Sequence, residues 1–400
     1  MTRWRSMMFA AAVAWSLLAW VTPAAAQTSA DLFNNQKLHE IRLSINSRDL
    51  VRLRTGYLEN TYYPADLQWQ GLRIRNVGVR SRGTGSRNAS KLGLLVQFDR
   101  YAKTQQFLGL TELVLDNSWQ DPSLMREALA MSVYRRMGQA APREAFCRVY
   151  INNDFQGLYS MVEPVDTAFT QRALSQSSGY LYEYHYLGPW YTEYLGDALD
   201  PYKAMFEPQN HKRESDSELY VPLRDLFREA NGPDDAVWRE RLDRYLDLPE
   251  FMTHIAIEDV LTENDGILGF AGVNNFYLYR NQGTSQHRLL PWDKDFTFTF
   301  LEISILRRGL EDFPLFARAW GQPDLRSHFL DVAEQCAHVI GDDDWLAGEI
   351  ERIVALITPS VIEDTRKQFT TEQFVADIDF LRTFASVRAQ SVLNEVQSLR

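Results

Sequence analysis

"FAGVNNFYLYRNQGTSQHRLLPWDKDFTF", residues 270–298, holds two strand-like runs, with an Asn pair before the first and two aspartates one residue apart at the end of the second. The runs "FYLYR" and "RLLPW" are aromatic and aliphatic, and the residues between them include a Gly-Thr-Ser turn, so the stretch predicts a β-ribbon. Its surroundings differ in kind. Residues 247–265, "DLPEFMTHIAIEDVLTEND", carry Asp247 and Pro249 as helix-start signals and place Phe251, Ile255 and Leu261 on an apolar face. Further helices are expected near 218–231, 235–246, 326–338, 343–357 and 359–398, and only residues 273–300 of this half have strand character.

The other half of the chain is periodic in twos. "LHEIRLSI", "LRIRNVGVRSRG", "LGLLVQFDRY" and "LTELVLD", all within residues 38–116, alternate or run apolar between turn residues and predict strands. "DPSLMREALAMSVYRRMG", residues 121–138, predicts the first helix, with Asp121 as N-cap, Pro122 in the first turn and Gly138 as the stop. "FCRVYINNDFQGLYSMVE", residues 146–163, predicts a hairpin turning at Asn152-Asn153-Asp154. The expected class is therefore α+β and two-lobed: a β-rich lobe over 27–165, then a mainly helical lobe over 166–400 with the ribbon embedded in it.

Residues 1–26 combine a basic start with Arg3 and Arg5, an apolar run and an Ala24-Ala25-Ala26 ending, which predicts a signal peptide and an exported chain. No later stretch is long and apolar enough to span a bilayer, so no stable membrane insertion is expected. The net charge is −11, and loss of the leader makes it more negative, so a nucleic-acid partner is not expected. Cys147 and Cys336 could pair in an oxidising compartment. No H-x-x-x-H and no G-x-S-x-G occurs, which leaves zinc hydrolysis and esterase chemistry unsupported.

Two segments have residues suited to phosphate chemistry. In "RSRGTGSRNASK", residues 80–91, Gly83 and Gly85 would let backbone amides approach an anion, Arg80, Arg82 and Arg87 add positive charge, and Lys91 begins the next strand. The same pattern also suits a solvated basic hairpin. In the opening stretch, an Asn275 carbonyl and an Asp293 carboxylate on paired strands offer hard oxygen ligands to a divalent cation, Asp295 is a reserve, and Asp265 could orient or deprotonate an attacking hydroxyl. Equally, Asp265-Gly266 could be a helix-ending turn and the two aspartates solvated acids. The aromatic segment 180–194, with Glu183, His185 and Glu193, suits a packed surface or a carbohydrate or peptide contact.

Taken together, "RSRGTGSRNASK", "VYINNDFQGLYSMVEPVD", "ENDG", "NNFYLYR" and "LLPWDKDFTF" resemble, in order, the blocks of the spore-coat CotH kinase family of atypical protein kinases. The resemblance implies a kinase-like two-lobed fold binding ATP and Mg²⁺ or Mn²⁺ between its lobes, with a Ser/Thr-bearing protein as acceptor. It implies that Lys91 holds phosphates, that Asp265 is the catalytic aspartate, and that Asn275 and Asp293 are metal ligands; Arg82 stays a cofactor-binding candidate by its charge. Glu127 on the first helix is the expected lysine partner and Glu163 the acid near the adenine. Three departures stand out: Asn274 where the family commonly has His, a longer loop between Asp265 and Asn275, and Thr299 where a glycine is usual. Two other readings stay open, a surface binding module without turnover and a carbohydrate hydrolase using Asp293 and Glu302.

Overall fold

Strict alternation decides the first strand, whose residues from His39 to Ile45 are buried at every second position. The computed structural model describes residues 27–306 and 313–400, so the expected signal peptide, residues 1–26, lies outside the described residues. Strands β1 (His39–Ile45), β2 (Tyr63–Trp69), β3 (Leu72–Ser81), β4 (Leu94–Gln97), β5 (Glu112–Asp116), β6 (Glu144–Ile151) and β7 (Asp154–Val162) close a barrel in the order β1-β2-β3-β4-β5-β7-β6. Closure is made by the parallel pairing of β1 with β6, His39 opposite Cys147. The β6–β7 hairpin turns where expected, with Asn152 and Asn153 both at positive φ, the conformation a tight hairpin turn demands and Asn tolerates. Leu43, Leu67, Trp69, Val79, Val96, Phe98, Leu113, Val149 and Met161 fill the interior.

Helix α1 (Ser29–Leu32) precedes the barrel, and α2 (Ser47–Thr55) links β1 to β2, capped by Asn46, whose side chain accepts from the Arg48 amide at 2.9 Å. Helix α2 and strand β2 were not among the expected elements, because residues 46–69 carry neither a clean twofold nor a clean helical period. Helix α3 (Arg126–Arg136) starts later than Asp121. Asp121 instead folds the preceding turn, accepting from the Ser123 amide at 2.8 Å and the Arg126 amide at 2.8 Å.

Beyond β7 come α4 (Thr167–Leu174), β8 (Tyr180–Tyr184), α5 (Asp200–Met205), β9 (Phe206–Pro208), α6 (Asp216–Ala230), α7 (Trp238–Leu242) and α8 (Leu248–Val260). The ribbon follows as β10 (Phe276–Arg280) and β11 (His287–Pro291), then α9 (Pro314–Trp320), α10 (Pro323–Gly341), α11 (Trp345–Glu363) and α12 (Thr371–Leu399). The ribbon is not alone in this half: β8 and β9 extend it to a four-stranded sheet in the order β11-β10-β8-β9. "YLYEY" is a strand because aromatic side chains alternate on a pleated, half-buried surface. The helix expected over 359–398 is two, broken after Glu363 and restarted at Thr370 by a capping box with Gln373.

Apolar residues of α3 join those of α6, α8, α10, α11 and α12 in the core of the helical half. A separate cluster seals the two halves together: Leu95, Val114, Val162 and Val165 from the barrel side meet Leu181, Tyr277, Tyr279, Leu290 and Trp292. The architecture is thus α+β, with a β-barrel first and a helical, sheet-bearing half second, as expected. Cys147 lies in the barrel core and Cys336 in the helical core, both buried as free thiols. Among the described residues no helix is long and apolar enough to cross a membrane.

Candidate active site

Strand β11 ends at Pro291, and the two following aspartates flank a lysine that points the other way. Lys294 is fully buried, donating to Glu258 Oε1 at 2.7 Å and to the Asn275 carbonyl at 2.9 Å. Glu258 also meets His254 Nε2 at 3.1 Å and accepts from the Ile267 amide at 2.8 Å. Burial would raise the Glu258 carboxyl, but Lys294 and His254 hold it down at about 2. With Lys294 turned inward, Asp293 and Asp295 are left half-buried on the cleft side.

Asp265 leaves helix α8 by a turn whose shape is fixed from behind. A side chain on Gly266 would collide with the Glu258 carboxylate, which Lys294 and His254 hold in place, so glycine after Asp265 leaves that buried cluster undisturbed. Asp265 Oδ2 accepts from both Asn274 Nδ2 and Asn275 Nδ2, each at 3.0 Å. That bond leaves Oδ1 of Asn275 as the end able to meet a cation. Asn275 (φ +58°) and Asp293 (φ +52°) both sit in the left-handed region, which Asn and Asp enter more readily than most residues and where backbone strain gathers at working sites. Arg126 clamps the far end of the segment, donating to the Thr297 carbonyl at 2.7 Å and pairing with Asp377 at 2.7 Å. Thr299, where the family usually has glycine, gives its hydroxyl to the Thr262 carbonyl at 2.7 Å and so ties this segment to the α8 exit.

The barrel supplies the opposite wall. Asp116 stands across from Ser160, and Glu144 across from Val162, so all of these point to one face of β5, β7 and β6. Asp116, Ser160, Glu127 of α3 and Asp295 line one recess. Burial first, then the charges of Glu144, Asp293, Asp116 and Asp295, push the Glu127 carboxyl well above its ordinary range. Burial and Asp293 do the same to Asp295. Set against this negative field is Arg82, whose guanidinium lies 5.0 Å over the Trp292 ring. Burial alone would lower Arg82; Tyr277, Asp116, Asp293 and Glu183 more than compensate and raise it. Arg80 and Arg87 turn away, toward Tyr62 and Asn60.

Hard oxygens from Asn275, Asp293 and Asp295 with a guanidinium beside them suit a divalent cation carrying phosphate oxygens. Lys91, expected to hold those phosphates, is placed elsewhere: its ammonium pairs with Asp364 at 2.8 Å, both side chains fully buried. Lys91 precedes β4 by three residues instead of beginning it and does not serve Glu127, which faces other acids. Glu163, expected near the adenine, is held by Arg143 and Arg172 at 2.7 Å each, which consumes both its oxygens at the crossing between the halves. Asp116, Glu144, Glu258, Lys294 and Asp364 were missed. A strand-ending Asp116 was a legible signal; the others depend on contacts across long sequence separations. In the aromatic segment Tyr184 and Trp190 are buried against Phe206, Phe227 and Phe276, which makes them core.

Residues 79–392 match the family described as CotH kinase protein. The chain is 21% identical over 373 residues to the inner spore coat protein H of Bacillus subtilis (strain 168), covering 92% of this chain and 99% of that protein. Among solved structures, it is similar to a HipA chain in the Shewanella oneidensis MR-1 toxin–antitoxin complex of HipA, HipB and operator DNA, at TM-score 0.36 and 11% identity over 89% of this chain and 81% of that one. It is also similar to the Helicobacter pylori proinflammatory kinase CtkA, at TM-score 0.32 and 10% identity over 80% of this chain and 95% of that one.

Proposed function

The chain belongs to the CotH kinase protein family, and from that premise we propose that it is an exported kinase that transfers the γ-phosphoryl group of ATP to a Ser or Thr hydroxyl of a protein, with Mg²⁺ or Mn²⁺. One observation carries the reading: Asp265 holds the amides of Asn274 and Asn275, and the barrel's Arg82 lies 5.0 Å over the ring of Trp292, next to Asp293. When bound there, the nucleotide supplies the phosphoryl group and the cation neutralises its charge.

The chain's own residues do the rest. Oδ1 of Asn275 and the Asp293 carboxylate would hold the cation, with Asp295 as a further ligand. Arg82 binds phosphate oxygens and returns positive charge to a cleft that is otherwise acidic. Asp265, with Oδ2 fixed by two amides, is aimed by them and accepts the proton of the acceptor hydroxyl as its oxygen bonds to the γ-phosphorus and the bond to ADP breaks. Export rests on the leader-like residues 1–26.

A second reading, nucleotide binding without transfer, is favoured by the Lys91–Asp364 pair, which withholds a lysine from the cleft. Incubation with ATP and Mn²⁺ beside a mixed protein acceptor, followed by phosphopeptide mass spectrometry, separates the two. New phosphoserine or phosphothreonine supports transfer. A rise in melting temperature with ATP and no phosphopeptide assigns the chain to the binding class.

A further inference from the structure

Strand β8 and the residue after it set Glu183 and His185 two positions apart, so alternation puts both on one face of the sheet while Tyr184 between them packs into the core against Phe206. Glu207 of β9 stands directly opposite Glu183. The ladder is held on both sides of that pair, by the His185 amide on the Met205 carbonyl at 2.7 Å and the Gln209 amide on the Leu181 carbonyl at 2.8 Å. Among the described residues, only Glu183, His185 and Glu207 bring three imidazole, thiol or carboxylate ligand atoms within 4.8 Å of one another.

Two carboxylates facing each other across paired strands repel, and the chain offsets this only in part. Lys212 comes no nearer to Glu207 than 3.7 Å, from an exposed side chain. His185 Nε2 meets Glu207 Oε2 at 3.0 Å, a bond that raises the imidazole above its ordinary value. Glu183 is oriented by Gln209, whose Nε2 donates to Glu183 Oε2 at 3.1 Å and to the Glu207 carbonyl at 3.3 Å, the kind of support that a ligating carboxylate receives from the residue behind it. An imidazole nitrogen beside two carboxylates is a different donor set from the all-oxygen group of Asn275, Asp293 and Asp295, and it suits Zn²⁺ over Mg²⁺.

From this we infer that Glu183, His185 and Glu207 form a Zn²⁺ site that clips β9 to β8. His185 Nε2 and one oxygen from each glutamate bind the ion and water fills the remaining position. The proton shared by His185 and Glu207 leaves to solvent as the ion takes its place. The role is structural: β9 has three residues, lies at the edge of the sheet and pairs with β8 over the shortest ladder in it, so an ion held from both strands fastens the segment that runs between them. The site belongs to the β8–β9 edge, whereas Asn275 and Asp293 adjoin β10 and β11, and it does not depend on phosphate transfer.

The test is calorimetric titration of the intact protein with Zn²⁺, without nucleotide, in an Asp293→Asn background that removes a ligand of the cleft's cation. One Zn²⁺ should bind. Glu183→Gln, His185→Ala and Glu207→Gln should each weaken it by about a hundredfold or more, and Gln209→Ala by about tenfold, each with an unchanged circular dichroism spectrum. Hydrogen exchange read by mass spectrometry should show Zn²⁺ slowing the amides of residues 184–207, an effect absent in His185→Ala. No Zn²⁺ bound at micromolar concentration, wild-type affinity kept in any one of the three ligand variants, or exchange across 184–207 that Zn²⁺ leaves unchanged overturns the site.

Discussion

Lys91 Nζ lies 2.8 Å from Asp364 Oδ2, and neither side chain reaches solvent. Asp364 follows α11 and also accepts from the Leu158 and Arg366 amides, so it bolts the helical half to the barrel. A buried pair broken from one side leaves an uncompensated charge. Asp364→Ala should therefore cost about 3–5 kcal/mol in urea unfolding. Lys91→Met should cost less, because those two amides still serve Asp364. Neither change should abolish the melting-temperature rise produced by ATP; its loss in a well-folded Lys91→Met protein would return the lysine to the nucleotide.

Arg82 is the contrasting case. Its guanidinium rests on Trp292 beside Asp293, whose carboxyl it pulls down against burial, and among the described residues no carboxylate lies within ion-pair distance of it. Arg82→Ala should raise the KM for ATP about tenfold or more, the worth of a charge-assisted hydrogen bond, while the melting temperature stays near that of the wild type. Steady-state kinetics beside thermal unfolding measures both.

The pH dependence of transfer should report Asp265. Burial raises its carboxyl above the ordinary carboxylate range, while the Asn274 amide, Lys294 and the Asn275 amide pull it back. As the acceptor of a proton it must be ionised, so activity falls as pH drops through this raised value. Asn274→Ala removes one donor to the charged form and should move the acid limb of kcat/KM to higher pH. A limb moving downward would contradict the assignment.

Glu258 sets the acid stability of the site. Its folded value near 2 lies below the unfolded range near 4.5, so its contribution is complete above about pH 4.5 and is lost as pH falls toward 2. Glu258→Gln should destabilise the protein by about 3–5 kcal/mol at neutral pH, leaving Lys294 buried without its charge partner, and the difference from wild type should shrink below pH 4.

The α+β division, the β6–β7 hairpin, helix α8 and the ribbon were legible because each is a local period with its own stop signals. Strand β9 has only three residues, and the break between α11 and α12 is set by what Asp364 bonds to. Strand β9 leaves no local mark, and the Thr370–Gln373 capping box marks only the restart of α12. In the site, Asp265, Asn275, Asp293 and Arg82 stand out by sequence order. Lys91 and Glu163 are found in ion pairs instead, and a lysine after a glycine-rich turn reads the same whether its amine meets phosphate or Asp364, which is 273 positions away in sequence. Glu144 was hidden inside an ordinary strand pattern, where only its lack of a partner marks it.

Phosphate transfer from γ-labelled ATP in the presence of Mn²⁺, comparing wild type with Asp265→Asn and Asp293→Asn, tests the central claim most directly. The account predicts label on the protein or an added acceptor that falls by about a hundredfold or more in both variants while their folds persist. Label that survives in Asp265→Asn and Asp293→Asn at the wild-type level would contradict it.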